Sequence, residues 1–302
     1  MPNLGVISRS SIWIVLLTTA CSAGQQTTVP AHPNPGELVR KAVQNEITTA
    51  NEDTDHFLFR GTRTTPKGST TKIYVETREA TAGLVVAYNG KSLTPDQRRA
   101  EEARVERFLN NPEELKKKRN QEREDQERTV RIVRAIPDAF LFEYEGEEWG
   151  SAGIGRVGDP LVKLKFRPNP RYEPPSRVEQ VLTGMQGFVL VDVAHYRIAS
   201  IDGTLFRDVN FGWGILGHLD RGGHFLVHQQ AIADNRWDIS CISLDFTGKV
   251  LLVKNLVIRS TEVFSGFKKV PPDLTFAQAL ELLKQEETAV AENPTTSKLA
   301  LK

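Results

Sequence analysis

From Gly187 onward the chain is divided into short apolar runs at near-regular spacing. They cover Gly187 to Val193, Tyr196 to Ile201, Leu205 to Phe211, Phe225 to Gln229, Trp237 to Phe246 and Val250 to Thr261. Apolar residues recur within them at a period of two, which puts one face of a strand against a core. Asp202-Gly203, Gly222-Gly223 and Thr247-Gly248 punctuate the runs and read as turns. Short strands joined by short turns pair with their sequence neighbours. This half of the chain therefore predicts consecutive hairpins of one antiparallel sheet, and a mainly β (α+β) fold.

The same signal occurs earlier. Phe57 and Phe59 alternate with Leu58 and Arg60, Ile73 and Val75 with Tyr74 and Glu76, and Leu84, Val86 and Tyr88 with smaller residues. Asn89-Gly90 closes the last of these runs with a hairpin turn. Phe140 to Tyr144 and Leu161 to Phe166 are further strands. Helical spacing appears at 36–49, where Leu38, Val39, Ala42, Val43 and Ile47 share a face. A last amphipathic helix is expected near 273–285, with Leu274, Ala277, Leu280 and Leu283 on one side.

Between the two strand regions lies a long charged helical insertion at about 94–136. Thr94-Pro95-Asp96 supplies a capping hydroxyl and a proline at the first helical position. Asn110-Asn111-Pro112-Glu113 reads as a stop and restart. From Glu113 to Arg128 six acidic and six basic residues accompany a single apolar one, Leu115. Such a segment has little to bury and is expected to project as a solvated helix supported by close opposite-charge pairs. Val130, Ile132, Val133 and Ile136 return it to the core, and Pro137 is expected to end it.

The N-terminus carries a separate message. Arg9 precedes the apolar run Ile12 to Leu17, then the small residues Thr18-Thr19-Ala20 and Cys21. This is the layout of a secretory signal, with an apolar run too short to span a membrane. Cleavage before Cys21 leaves a cysteine for lipid attachment, and cleavage after Ala23 leaves a secreted or periplasmic soluble chain. Lipidation is the preferred reading, although Thr18 stands where a bacterial lipobox usually has leucine. Each buried methylene contributes about 0.8 kcal/mol, and two or more chains give a stable anchor. The segment ending at Cys21 resembles the lipobox of bacterial lipoproteins, and that resemblance implies, from Ser22 rather than an acidic residue after the cysteine, the outer rather than the inner membrane. Residues 22–35 have the composition of a flexible tether.

Charge and cysteine content exclude several function classes. With 39 basic and 38 acidic residues the chain has no basic surplus for nucleic acid. Cys241 is the only cysteine besides Cys21 and reads as a small buried hydrophobe. Gly153-Ile154-Gly155-Arg156-Val157-Gly158 matches the dinucleotide fingerprint letter for letter. It lacks the strand before and helix after that would put a pyrophosphate on a helix N-terminus, and reads instead as a flexible loop between strands. His224 and His228 are roughly 13 Å apart on a strand at about 3.3 Å per residue, too far for one metal. Asp192, His195, Asp202 and Asp208 lie close in sequence, but no hydrolase signature accompanies them. The expectation is a chain that is not an enzyme, with no catalytic residues, metal or cofactor.

An N-terminal helix, a run of strands, a helical interruption and a long meander behind a signal peptide resemble the LolA/LolB-like superfamily of lipoprotein carriers, receptors and stress-sensor domains similar to RseB. The likeness covers roughly 36–270 and is strongest from Phe188 to Phe211. It implies a strongly curved antiparallel sheet forming an unclosed half-barrel with helices as lid. The organisation expected is a signal peptide at 1–20, a tether at 21–35, the half-barrel domain at 36–270, a C-terminal helix at 271–287 and a disordered tail at 288–302. An apolar sheet face beneath a lid is a groove for acyl chains. Its candidate lining is Phe57, Phe59, Ile73, Val75, Leu84 and Val86. The expected function is a lipid-anchored binder of lipid, acylated protein or another apolar ligand on the periplasmic face of the bacterial envelope, with a possible envelope protein partner. The alternative is a sensory or structural interaction module with a filled interior.

Overall fold

The computed structural model describes residues 33–292 except 53, 212–216 and 251–253, with side chains in the last helix through 288. The expected signal peptide, Cys21, most of the expected tether and the end of the expected tail lie outside the described residues. In chain order the elements are α1 (Pro35–Glu52), β1 (His56–Thr65), β2 (Gly68–Val75), β3 (Ala82–Tyr88), β4 (Lys91–Ser92), α2 (Pro95–Asn110) and α3 (Pro112–Ala139). There follow β5 (Phe140–Trp149), β6 (Pro160–Pro168), α4 (Arg177–Gln180) with a 3₁₀ turn (Val181–Gly184), β7 (Met185–Asp192), β8 (Arg197–Leu205) and β9 (Val209–Phe211). The chain ends with β10 (Gly217–Leu219), β11 (His224–Ala231), β12 (Trp237–Val250), β13 (Lys254–Val270) and α5 (Phe276–Glu292).

All strands join one 13-stranded, unclosed antiparallel sheet with the path β4-β3-β2-β1-β13-β12-β11-β8-β7-β6-β5. The mainly β half-barrel expectation holds. Three pairings join strands that are not neighbours in sequence: β1 with β13, β8 with β11 and β10 with β12.

Register shows that the two larger cores lie on opposite faces; a smaller third one gathers Leu161, Leu190, Ala199 and Trp237 with Ile154 and Ala231. Val162, Leu164 and Phe166 of β6, Val189 and Val191 of β7, and Leu205 of β8 face α1 and the end of α3. Following directly paired residues, this face continues through Phe225, Leu244 and Ser260 to Ile258, Glu262 and Phe264 of β13. Phe264 pairs with Gly61, and Phe59 pairs with Tyr74, so these residues lie on the α1/α3 face too. Leu58, Ile73, Val75 and Leu84 take the opposite face and are buried with Phe276, Ala279, Leu280 and Leu283 of α5 and Val105 of α2.

The charged insertion joins both cores. Thr94 and Gln97 form a capping box at the start of α2, and Asn111 restarts the helix as the N-cap of α3, as the sequence predicts. Leu115 packs against the α5 core, and Glu122 accepts the Thr81 backbone N–H at 3.1 Å. Ile132, Val133 and Ile136 reach the other core. Pro137 does not end α3, which runs to Ala139; in the last turn the missing N–H costs one hydrogen bond only. α5 continues past 287 to Glu292.

Two expected turns are strand interiors. β8 runs through Asp202-Gly203 and β12 through Thr247-Gly248. A Cβ on Gly203 would collide with the ring of Phe225, and one on Gly248 with the carbonyl of His218. These glycines serve close approach, not chain reversal. Asn89-Gly90 does turn, with φ of 51° and 70°. The glycine-rich stretch joins β5 to β6 as expected, but is not loose. Gly155 N–H bonds the Gln229 carbonyl at 2.7 Å, and the Ser240 hydroxyl donates to the Gly153 carbonyl.

Candidate functional site

The sheet splits at one end. β12 and β13 pair from Val250/Lys254 up to Cys241/Val263. Beyond that point β13 follows β1 to Val270, while β12 follows β11 back to Trp237. A cleft of about 610 Å³ opens between the two branches. One wall is the second half of α1, with Asn45, Thr49 and Glu52. The other residues are Asp55 and Lys269 on the β1/β13 branch, the 233–237 loop that leads into β12, and His195 and Arg197 beside β8.

Ion pairs build the walls. The Arg197 guanidinium holds Glu46 of α1 by two bonds, of 3.0 and 2.9 Å, and the same carboxylate accepts the Ile198 N–H. Arg236 donates to Asp238 at 2.9 Å, approaches Glu76 at 3.5 Å and lies 5.4 Å from the centre of the Phe57 ring. Lys269 pairs with Asp55 at 2.8 Å. Glu76 accepts the Phe57 N–H at 2.9 Å, yet burial, with the Asp238 charge second, pushes its carboxyl up to about 7.

His195 is oriented by Asp192, a fully buried carboxylate. One carboxylate oxygen accepts the His195 backbone N–H and the other meets ring Nδ1, both at 2.9 Å. Asp159 stands 3.9 Å from the same nitrogen. The three could offer metal-ligand atoms within 4.8 Å of one another, but His195 already uses both its backbone N–H and Nδ1 on Asp192. The arrangement fixes the imidazole and points it at the cleft.

Alongside the cleft runs an aromatic strip on the α1/α3 face of β1, β2 and β13. Phe59 stacks on Tyr74 with centroids 5.2 Å apart and on Phe267 at 5.3 Å, and meets Phe264 edge-on at 6.0 Å. All four rings are half-buried and belong to neither core, because α1 packs over β5, β7 and β8 instead. Phe264 and Phe267 are three residues apart and would face opposite ways on a regular strand. A β-bulge sets Gly266 and Phe267 against Phe59 alone, with Gly266 at φ 69°, and returns Phe267 to the same face. Room for the rings comes from Gly61 and Gly83, where a Cβ would lie 2.9 and 3.1 Å from Tyr74. Burial, and then the Glu262 carboxylate that the hydroxyl bonds, push the Tyr74 phenol up to about 12.

The six groove candidates divide between the faces. Phe57 and Phe59 lie on the strip side, Phe57 buried beneath Arg236. Ile73, Val75, Leu84 and Val86 are closed into the core under α5 and α2. Tyr74 escaped sequence reasoning because alternation put it on the face away from Ile73 and Val75, and Phe264 and Phe267 because the last strand was expected to end at Thr261. Their flanking glycines were the available signal. Cys241 is partly buried and free, with burial raising its thiol. His224 bonds Asp202 at 2.7 Å, and burial lowers His228 below its ordinary value.

No protein-family model matches the sequence, and no curated protein matches it. Among solved structures the chain is similar to an outer membrane lipoprotein-sorting protein domain from Vibrio parahaemolyticus. That match has 10% identity and a TM-score of 0.29, and covers 82% of this chain and 99% of that one. It is also similar to a DUF1329 family protein from Desulfovibrio piger, at 9% identity and a TM-score of 0.27, covering 83% of this chain and 100% of that one.

Proposed function

We propose that this chain is a binding protein of the bacterial envelope whose ligand is an amphiphile, a lipid or an acylated protein. It acts without catalysis and is held at the membrane through lipid on Cys21. The aromatic strip carries the reading. Among the described residues these four half-buried rings lie outside both large cores and present apolar area that water solvates poorly, and an acyl chain laid along them removes that area without needing directional bonds. A charged cleft at the end of the strip gives a polar head somewhere to go. Lipid on Cys21 would keep the chain at the membrane from which such a ligand comes.

The test is native mass spectrometry of the full chain bearing Cys21→Ser, exported through its own N-terminus and purified without detergent. Co-purifying mass that extracts into organic solvent, and that is lost in Phe59→Ser, is the expected result. An unliganded mass that stays unchanged after incubation with phospholipid and acylated peptide would sink the reading. Metabolic labelling with palmitate, present in the parent chain and absent in Cys21→Ser, checks the anchor.

A further inference from the structure

We infer that the amphiphile bound here carries a positively charged head, an amine or quaternary ammonium, received by the cleft beside the strip. This deepens the binding reading above and rests on it.

The first support is continuity. On β1, Phe57 and Phe59 are alternate residues of one face, and on β13 so are Phe267 and Lys269; Phe57 and Lys269 are directly paired. Lys269 lines the cleft, and Arg236, which also lines it, lies over the Phe57 ring. Alternate residues on a strand are about 7 Å apart. A chain lying on Phe59 and Phe267 therefore delivers its head to the cleft within one further pair of residues.

The second support is the charge balance of the walls. Each cation that lines the cleft is already held by a carboxylate of this chain: Arg197 by Glu46, Arg236 by Asp238, and Lys269 by Asp55. An anionic head would have to share those cations with carboxylates already bound to them. The opposite sign is available, because among the described residues the side chains of Glu52 and Asp234, both exposed and both lining the cleft, make no ion pair or hydrogen bond. Their negative charge is the charge of the lining that no ion pair engages; Arg156, which bonds the Asp234 main-chain carbonyl at 2.7 Å, pairs with Asp159 at 3.7 Å. Neutral Asn45, Thr49 and Asn235 supply hydrogen-bond partners without altering that sign.

Calorimetric titration of the Cys21→Ser full chain with three ligands of equal chain length, each below its micelle concentration, tests the inference. The ligands are dodecyltrimethylammonium, dodecyl maltoside and dodecanoate. The expected order has the ammonium at least about tenfold tighter than the other two, with the advantage shrinking as salt rises. Glu52→Gln combined with Asp234→Asn should bring the ammonium down to the affinity of the maltoside; both positions are exposed, and an unchanged melting curve certifies the fold. If dodecanoate binds as well as or better than the ammonium, the charge inference is overturned while the binding reading stands. If none of the three binds, the binding reading itself falls.

Discussion

Arg197 on β8 grips Glu46 on α1 through two parallel bonds while 7% and 13% of their side chains remain exposed. The pair pins the helix that walls the cleft to the sheet. Removing either partner leaves a buried charge alone, which costs about 3–5 kcal/mol. Arg197→Ala or Glu46→Ala should lower the urea midpoint accordingly, whereas Arg197→Met with Glu46→Leu should lie near the parent because no orphan charge remains. Equal losses in the single and double variants would show that the pair is not what holds α1.

Glu76 should make stability depend on pH. Its carboxyl titrates near 7 when folded against an ordinary 4.5. The folded chain therefore holds the proton more tightly, and the stability this contributes is full below about 4.5 and lost as pH rises through about 7. The window amounts to about 3 kcal/mol at about 1.4 kcal/mol per pH unit. Urea unfolding at pH 5 and pH 8 should show this fall in the parent and a flatter profile in Glu76→Gln, with the variant the more stable at pH 8. Parallel profiles would refute the assignment.

The aromatic strip separates ligand binding from folding. Phe264 and Phe267 are half-buried and outside both cores, so Phe267→Ser should cost below about 2 kcal/mol. The same change removes one side of the stack on Phe59. Extractable lipid should therefore disappear from a protein that still melts cooperatively. Undiminished lipid in that variant would move the binding face elsewhere.

Gly187 and Gly203 face each other across β7 and β8. A Cβ on Gly203 would meet the ring of Phe225, a side chain able to shift, whereas one on Gly187 would fall on the Asp202 carbonyl. Gly203→Ala is expected to cost about 1–3 kcal/mol as an overpacked site. Phe225→Leu should rescue it in the double variant. Gly187→Ala should cost more and resist rescue, measured by the same denaturant titration.

Those glycines also mark where reading the sequence reached its limit. Alternation found the strands because a half-buried strand writes its faces into the chain at a period of two. It could not tell a glycine that reverses the chain from one that lets a neighbour come close, so β8 and β12 were expected to break at Gly203 and Gly248. The helices at α1 and α2 were legible from Leu38 to Ile47 and from the Thr94 cap. The strip was half legible. Phe59 was in view, but Phe264 and Phe267 share a face only through the bulge at Gly266. The cleft was not legible at all, since Glu52, Arg197, Arg236 and Lys269 come from four distant segments and line it together only in the folded sheet.

β13 contributes Ile258 to one core and Val270 to the other, on opposite faces of the same strand. Among the described residues the two larger cores are joined by α3, which reaches both, and by a ladder of hydrogen bonds. Within the sheet, cooperativity between them travels along the seventeen residues of β13. Native-state hydrogen exchange should resolve two opening units with their boundary along this strand, so that one half loosens while the other keeps its protection. Loosening on the β1–β3 side would move Phe59 and Tyr74 relative to α1 without melting the helix that walls the cleft, giving a bulky ligand a way in that needs no unfolding.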